Sequence, residues 1–278
     1  MVGVYCESLI EFIEEWYEIL LEFTIFMAGR NWRDVANPGS AIGEAVGKLF
    51  EKKVGELIQS VCMSLPYNVD LGGPRPEIGR RSKTIKLFDR FGVSWENDIV
   101  IEDMNCNPVI LIEAKWLRYT KHCRDKGGWV CTAHPSLRKS HDTIRKTMVT
   151  LAGSWTDSSL SMMRGNFVDI HLVDYDYIVT LLGGYNIPFH WGEKDRDTAF
   201  LAWERWNSLS DNQINKIGDE LILPIKESVE ESVRSTLEWD GEPEFLEFEL
   251  TCRTDDGGSI TRYFNNHSDL SQYISSLD

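Results

Sequence analysis

The fold of this chain is decided by two neighbouring apolar runs, Asn97-Asp98-Ile99-Val100-Ile101 and Pro108-Val109-Ile110-Leu111-Ile112-Glu113-Ala114-Lys115. Side chains alternate between the two faces of a strand, so Glu113 and Lys115 project from one face while Ala114 points to the other. If the two runs pair as adjacent strands, Asp98 reaches the same position. The sequence therefore predicts two carboxylates and one ammonium together at the end of a buried strand.

This grouping of charges has a specific chemistry. Two carboxylate oxygens suit a hard divalent cation such as Mg²⁺, and a neighbouring lysine can orient or deprotonate a water, as in metal-assisted phosphodiester hydrolysis. The alternative is that Asp98 only starts a strand, while Glu113 and Lys115 form an exposed ion pair that contributes little stability. The apolar run 109–112 favours the first interpretation, because it predicts a buried central strand, and active sites of open sheets lie at such strand ends.

Asp98 followed by the triplet Glu113-Ala114-Lys115 resembles the signature of the PD-(D/E)xK nuclease superfamily, which includes type II restriction endonucleases, Holliday-junction resolvases and repair nucleases. The resemblance covers roughly residues 40–182, and it departs from the signature at Asn97, where the motif has proline. It implies an α/β fold with an αβββαβ core, in which helices flank a mixed central sheet. It also implies that Asp98 and Glu113 hold Mg²⁺, with Mn²⁺ as a substitute, and that Lys115 is catalytic.

The resemblance further implies a glutamate on the first core helix that joins the metal site. A helix is predicted over residues 40–63, because apolar residues recur on one face and Asn37-Pro38-Gly39-Ser40 precedes it as a cap. Glu44 matches the family's placement and is assigned as a catalytic residue. The helical period does not separate Glu44 from Glu51, and a solvent-exposed glutamate is the alternative for either.

The net charge of −15 is the main argument against a nucleic-acid partner, because phosphate binding needs a positive surface. Lys and Arg are nevertheless concentrated in residues 75–94 and 115–146, whereas acidic residues are concentrated before residue 60 and after residue 193. A basic centre with acidic flanks is compatible with double-stranded DNA at one face; the alternative is a basic surface that is only solvated. The predicted DNA contacts are Arg118, Lys121, Arg124, Lys126, Arg138, Lys139 and Arg145.

Hydrophobic periodicity and turn residues predict the remaining elements. An N-terminal extension, residues 1–38, carries a predicted amphipathic helix over 7–28. For the nuclease-like core, residues 39–185, the predictions after the first helix are an irregular segment 66–79, strands 83–91, 95–103 and 108–116, a basic loop 119–134, a helix 136–152 and a buried strand 177–182. The C-terminal segment, residues 186–278, is predicted to hold helices over 196–237, a β-hairpin and a short final helix, and to pack on the core within one domain.

The cysteines and the N-terminal sequence predict a cytoplasmic location. No signal peptide is recognised, and five glutamates in the apolar N-terminal stretch argue against a membrane span. The six cysteines are then expected to be reduced thiols. A zinc pattern is present in His122, Cys123, Cys131 and His134, but its spacing differs from that of standard zinc knuckles.

These observations predict a Mg²⁺-dependent hydrolase that cuts DNA, of the type II restriction kind. A homodimer is expected, because cutting both strands of a palindromic site needs two symmetric active sites. Two alternatives stay open. One is a structure-selective nuclease of repair or recombination; the other is a non-catalytic interaction protein, which the acidic charge favours.

Overall fold

A computed structural model describes residues 35–241 and 247–277 of the chain. The helix predicted over 7–28 lies outside the described residues. The first described helix, α1, spans Pro38–Cys62 and confirms the helix predicted over 40–63. It begins there because the Asn37 side chain accepts a hydrogen bond from the Ser40 amide at 3.1 Å, while Pro38 occupies the first turn.

Seven strands follow α1 in the first part of the structure. They are β1 Asn68–Asp70, β2 Ile85–Phe88, β3 Ser94–Asn97, β4 Ile99–Glu102, β5 Pro108–Leu117, β6 Lys146–Gly153 and β7 Asp169–Asp174. Five of them form the main sheet in the order β1-β4-β5-β6-β7. β4 runs antiparallel to both β1 and β5, whereas β5, β6 and β7 are parallel to one another. The sheet is therefore mixed, and the protein belongs to the general α/β class.

β5 is the central strand of the main sheet. Every residue from Pro108 to Ala114 is buried, which confirms the strand predicted over 108–116. The strand predicted over 95–103 is instead two strands, because β3 pairs with β2 in a separate hairpin while β4 pairs with β5. Asp98 occupies the break between β3 and β4.

Two predictions between β5 and β7 are wrong. The basic loop expected over 119–134 is mostly helix α2, Cys123–Arg138. In the sequence, the few residues of its buried face are separated by basic residues, so the helical period is difficult to recognise. The helix expected over 136–152 gives way to β6, and α3, Asp157–Gly165, then connects β6 to β7. β6 is buried on both faces, so its apolar residues lack the two-residue alternation by which an exposed strand is recognised.

The strand predicted over 177–182 is also wrong. This run lies in helix α4, Tyr175–Gly184, and β7 ends immediately before it. A short apolar run does not distinguish strand from helix by its period. The Asp174 side chain decides between them, because it accepts a hydrogen bond from the Asp176 amide at 2.8 Å and so caps the helix.

Residues 66–79, expected to be irregular, contain β1 and a 3-10 turn.

Helices cover both faces of the main sheet. α5, Arg196–Asn207, and α6, Asp211–Leu237, share one apolar cluster with α1 and α4 on one face, while α2 and α3 pack on the other. α5 and α6, which follow residue 185, bury their side chains in the same cluster as α1. Pro224 lies inside α6 without ending it.

The chain divides into two compact units, the first ending at Leu237 and the second beginning at Glu238. The second contains the hairpin of β8, Phe248–Arg253, and β9, Ser259–Phe264, followed by α7, His267–Ser275. These elements confirm the predicted C-terminal hairpin and final helix. Among the described residues, no helix is both long enough and apolar enough to cross a membrane.

Candidate active site

Asp98, Glu113 and Lys115 converge at one place. Nζ of Lys115 lies 2.7 Å from Oδ2 of Asp98 and also contacts Oε2 of Glu113. The backbone amide of Ala114 donates a hydrogen bond to the same Asp98 oxygen at 3.0 Å. The two carboxylates and the ammonium expected from strand alternation are therefore in direct contact.

The strand register explains this convergence. β4 pairs antiparallel with β5, with Ile99 opposite Ile112, so the residue that precedes β4 falls beside Glu113. Leu111, two residues before Glu113, packs with Leu137 of α2, so this face of β5 is the face that α2 covers. Residues 113 and 115 consequently project between the sheet and α2.

Glu113 is the most unusual group of the site. Glu113 is only 1% exposed, and its Oε1 atom has no hydrogen-bond partner among the described residues. Burial raises the pKa of Glu113 well above its ordinary range, the negative charge of Asp98 raises it further, and the Lys115 ammonium offsets only part of this shift. A buried carboxylate oxygen without a partner is costly, and a cation would satisfy it.

Lys115 keeps its proton. Burial alone would lower its pKa, but the charges of Glu113 and Asp98 outweigh burial and raise it. The ring centre of Trp129, on α2, lies 5.5 Å from the ammonium, and Trp129 in turn makes an edge contact with Trp95 of β3. The ammonium is thus held between two carboxylates and an aromatic ring. Sequence reasoning misses the two tryptophans, because single aromatic residues give no signal of this kind in a sequence.

Of the two glutamates of α1 that the sequence does not separate, Glu51 interacts electrostatically with the site, whereas Glu44, the residue assigned from the sequence, pairs with Lys48; both side chains are exposed. Glu44 forms an ion pair with Lys48 at 2.9 Å on the exposed side of the helix, where its side chain is 64% exposed. Partial desolvation raises the pKa of Glu51, the charge of Asp98 raises it further, and Lys115 acts in the opposite direction. Glu51 keeps contact with solvent, so it lies at the rim of the site.

Most of the basic residues predicted to contact DNA lie on the surface around α2. Lys121, Arg124, Lys126, Arg138, Lys139 and Arg145 are all exposed. Lys121 is paired with Glu193, and Arg145 donates to the carbonyl of Thr236 at 3.5 Å. The first five of these side chains lie on or next to α2, whereas Arg145, which precedes β6, contacts the end of α6.

Arg118 is the exception, and its prediction as a DNA contact is corrected. Its guanidinium lies 3.1 Å from the ring centre of Trp191 and donates hydrogen bonds to the carbonyls of Phe189 and Trp191. Burial lowers the pKa of this guanidinium. Arg118 is 8% exposed, so it packs within the first unit and presents no charge to the surface.

A cavity of about 450 Å³ lies beyond the C-terminal end of β5. Lys121 and Arg124 line it from the start of α2, and Thr156 and Ser158 line it from the start of α3. Basic side chains, hydroxyl groups and helix N-termini are groups that bind phosphate oxygens. Asp125 also lines the cavity and Lys121 is paired with Glu193, so the lining is mixed in charge, with Arg124 and the hydroxyl groups as donors for an anion.

The zinc group suggested by the sequence does not assemble. Within 35–241 and 247–277, no three His, Cys, Asp or Glu side chains form a metal-binding group. Cys123 donates to the carbonyl of Ser154, while His134 is fully buried and neither of its ring nitrogens has a partner in the described structure. The pKa of His134 is lowered to about 3, mainly by burial. The charges of Lys115 and Arg138 contribute to this shift, and the charge of Asp98 opposes it.

The site thus combines two carboxylates, an ammonium and a neutral buried imidazole close to one end of the central strand. The alternative of an exposed ion pair does not describe Glu113, whose side chain is buried. The strand-end position matches the general placement of active sites in open sheets. Comparison with known protein families, with curated proteins and with solved structures finds no match for this chain.

Proposed function

We propose that this chain is a divalent-metal-dependent endonuclease that hydrolyses phosphodiester bonds in DNA. The observation that carries the proposal is the contact of Asp98 and Glu113 with one ammonium, at a point where Glu113 Oε1 is buried without a partner among the described residues. In a structural ion pair, an unsatisfied buried oxygen only costs free energy. In a metal site, the same oxygen is a ligand that the bound cation satisfies.

The topology of the main sheet supports the same proposal. α1 is followed in the sheet by the antiparallel strands β1, β4 and β5, then by α2 as a crossover helix and by the parallel strand β6. This order agrees with the αβββαβ core of the PD-(D/E)xK superfamily, with the β2–β3 hairpin, β7 and the later helices as additions. Asn97 still stands where that signature has proline.

The side chains fit a metal site of modest size. Asp98 and Glu113 would supply the two carboxylates that hold Mg²⁺ or Mn²⁺, while Glu51 interacts with them only through its charge and does not complete a three-residue group among the described residues. The ion, when bound, polarises the scissile phosphate and lowers the pKa of a coordinated water. The Ala114 amide fixes the position of Asp98, and the buried environment leaves Glu113 Oε1 available for a ligand.

Lys115 acts through its charge. Because its pKa is raised, it remains an ammonium near neutral pH and does not remove a proton from water. It instead donates hydrogen bonds that orient the water, and it offsets negative charge that develops on the phosphate oxygens in the transition state. Its contacts with Asp98 and Glu113 hold the ammonium beside the two carboxylates.

The basic surface around α2 gives the DNA a place to bind despite the charge of −15. Five exposed basic residues lie on or next to α2, and Lys121 and Arg124 also line a cavity that offers a place for a backbone phosphate. Association with the phosphate backbone is expected to weaken steeply with salt. A type II restriction enzyme acting as a homodimer is the first candidate. A structure-selective nuclease is the second, because exposed aromatic residues lie beside the site.

The proposal is tested by digesting a supercoiled plasmid with the full chain in Mg²⁺ and in EDTA. We expect nicked and linear products only with the metal, and loss of cleavage in Asp98→Asn and Glu113→Gln. Glu44→Gln serves as the matched control, because Glu44 lies on the same helix as Glu51 but pairs with Lys48 on the exposed side. Mapping the ends then separates a fixed cut site from structure-directed cutting. Equal cleavage by Glu113→Gln and the parent chain would reject the proposed active site.

A further inference from the structure

The hairpin formed by β2 and β3 leads directly into Asp98 and carries an exposed apolar tip. Phe88 is 57% exposed, Phe91 is 73% exposed and Val93 is 47% exposed. Large apolar side chains scattered singly on a surface need no explanation, but three within six residues form a local patch. The patch lies on the segment that positions a proposed active-site carboxylate.

The hairpin tip is held in place by a buried aspartate. Oδ1 of Asp89 accepts hydrogen bonds from the amides of Phe91 and Val93 at 2.9 and 3.0 Å. Oδ2 of Asp89 accepts from Nε1 of Trp95 at 3.0 Å and from Oγ of Ser136, on α2, at 2.8 Å. One carboxylate therefore ties the turn to its own hairpin and to α2.

A second set of bonds ties the tip to the end of α2. The Arg90 amide donates to Oγ of Ser140 at 2.9 Å, and Nε2 of His141 donates to the carbonyl of Phe88 at 3.0 Å. The backbone that carries the exposed rings is thus anchored at both ends of the turn. Rings that are preorganised and exposed are suited to binding, because they give up little entropy when they bind.

One basic residue contacts an exposed ring, and two others follow in the segment that anchors the hairpin. The guanidinium of Arg90 lies 4.9 Å from the ring centre of Phe91, and Arg138 and Lys139 are exposed at the end of α2, next to the hairpin anchors. Asp89 is buried and both of its carboxylate oxygens are hydrogen-bonded, so Asp89 presents no charge to the surface. Asp142 is an exposed acid that follows the anchoring residues Ser140 and His141 in the sequence. We call Phe88, Arg90, Phe91, Val93, Arg138 and Lys139 the aromatic–basic face.

We propose that the aromatic–basic face binds DNA at a place where bases are unstacked, with Phe91 and Phe88 stacking on the opened bases. The proposal rests on the proposed nuclease function and deepens its second candidate, the structure-selective nuclease, by naming the substrate class as a duplex with a local distortion, such as a bulge. In a chain of net charge −15, a positive patch around exposed rings complements a polyanion with accessible base faces. An intact duplex keeps its base faces stacked, so the rings gain most where a step is already open.

The test compares two fluorescent duplexes of one sequence and length, one intact and one with a two-nucleotide bulge. Binding is measured by anisotropy with the full chain in Ca²⁺, which is used to prevent cleavage. We expect the Phe88→Ala, Phe91→Ala double variant to lose about tenfold or more in affinity for the bulged duplex and little for the intact one. Phe91→Trp should retain the preference. Phe167→Ala is the matched control, because Phe167 is also 73% exposed but lies outside the face.

Charge and stacking are separated by the salt dependence. Removing the two rings should leave the slope of log affinity against log salt unchanged. Arg138→Gln with Lys139→Gln should weaken binding of both duplexes and reduce the slope by roughly 0.9 for each phosphate that is no longer neutralised. A 2-aminopurine placed in the bulge should change its fluorescence on binding, and the double phenylalanine variant should abolish this change.

Four results would overturn the assignment. Equal affinity of the parent chain for both duplexes, together with retained plasmid cleavage, would reject the aromatic–basic face and leave the nuclease standing. An unchanged preference in the double variant would do the same. A shift in the sedimentation of the double variant without any change in DNA preference would make the patch a contact between copies. Failure to bind either duplex, joined to failure to cleave plasmid, would remove the proposed function and this inference together.

Discussion

Two clusters of buried carboxylates lie on the main sheet, and their hydrogen bonds differ. In the first, Asp70 accepts from the Gly72 amide at 2.9 Å and from two nitrogens of Arg80 at 2.5 and 2.8 Å. Arg75 joins Asp70 at 3.0 Å to Glu102 at 2.6 Å. Both oxygens of Asp70 therefore have donors. In the second cluster, one lysine serves two carboxylates and an oxygen of Glu113 has no donor in the described structure.

The pKa values show the consequence of this difference. Burial raises the pKa of Asp70, but the hydrogen bonds from Arg80, Gly72 and Arg75 outweigh burial and lower it overall. The pKa of Glu113 is raised well above its ordinary range by burial and by Asp98. A forked guanidinium satisfies a carboxylate at two points, whereas an ammonium shared between two carboxylates does not. Burial also raises the pKa of Glu102 in the arginine cluster, so the contrast lies between Asp70, whose two oxygens both have donors, and Glu113, whose Oε1 has none in the described structure.

The largest effect is expected from Lys115→Ala. The variant should cleave plasmid roughly 10³-fold more slowly, because the ammonium acts mainly in the transition state. Its affinity for DNA in Ca²⁺ should change little, and initial-rate measurements with anisotropy separate the two quantities. Lys52→Ala is the control, since Lys52 is an exposed lysine of α1 paired with Glu56 at 3.6 Å. Cleavage near the parent rate would make Lys115 a structural residue and erase the contrast between the clusters.

The arginine cluster should respond in the opposite way, through stability. Arg80→Ala leaves Asp70 buried with fewer donors, and we expect it to lower the free energy of unfolding by about 3 kcal/mol. The measurement is urea unfolding followed by circular dichroism at pH 7. Arg81→Ala, at the exposed neighbouring position, should change stability by less than about 0.5 kcal/mol. An Arg80 variant as stable as the parent chain would show that this cluster contributes little to the fold.

The contrast also indicates which parts of the molecule a sequence can specify. The convergence of Asp98, Glu113 and Lys115 depends on strand alternation and on the pairing of two runs close in sequence, so it is predictable. Glu44 and Glu51 are seven residues apart, which is about two helical turns, so both point in nearly the same direction and periodicity cannot separate them. The two glutamates are distinguished by how α1 packs across the sheet, which brings the turn that contains Glu51 nearer to Asp98.

Long-range packing accounts for the remaining differences. Arg118 belongs to a basic stretch of sequence, but its burial depends on Trp191, 73 residues away. The sequence of β6 suggests a helix because a central parallel strand is apolar on both faces and shows no alternation. The run 177–182 suggests a strand because a short apolar segment carries no decisive period. For Arg118 and β6 the packing partners are distant in the sequence, whereas for the run 177–182 the deciding group is the local cap at Asp174.

A smaller effect is expected when Mg²⁺ and pH are varied together. Because the pKa of Glu113 is raised in the folded state, the metal-free protein should lose stability as pH rises from the ordinary value of 4.5 through the raised pKa. Mg²⁺ binds the deprotonated carboxylate, so its stabilisation should grow over the same window. Thermal unfolding should detect about 2 kcal/mol at a concentration roughly thirtyfold above Kd. Glu113→Gln should lose this response and Glu44→Gln should keep it; a pH-independent response would place the metal elsewhere.

The smallest effect concerns His134, the second unsatisfied buried group near Lys115. Its pKa falls from an ordinary 6.5 to about 3 in the folded state, so the unfolded chain binds a proton between these values and the folded chain does not. The stability contributed by neutral His134 is therefore complete above pH 6.5 and is lost as pH falls, by about 1 kcal/mol for each unit. His134→Leu should reduce the loss of unfolding free energy between pH 6.5 and 5.5 by about that amount, whereas His122→Leu, at an exposed position, should not. Urea unfolding at the two pH values makes the measurement. An identical acid sensitivity in His134→Leu and the parent chain would mean that folding does not lower the pKa of His134. Glu113 would then be the one unsatisfied group near Lys115 that distinguishes the lysine cluster from the arginine cluster.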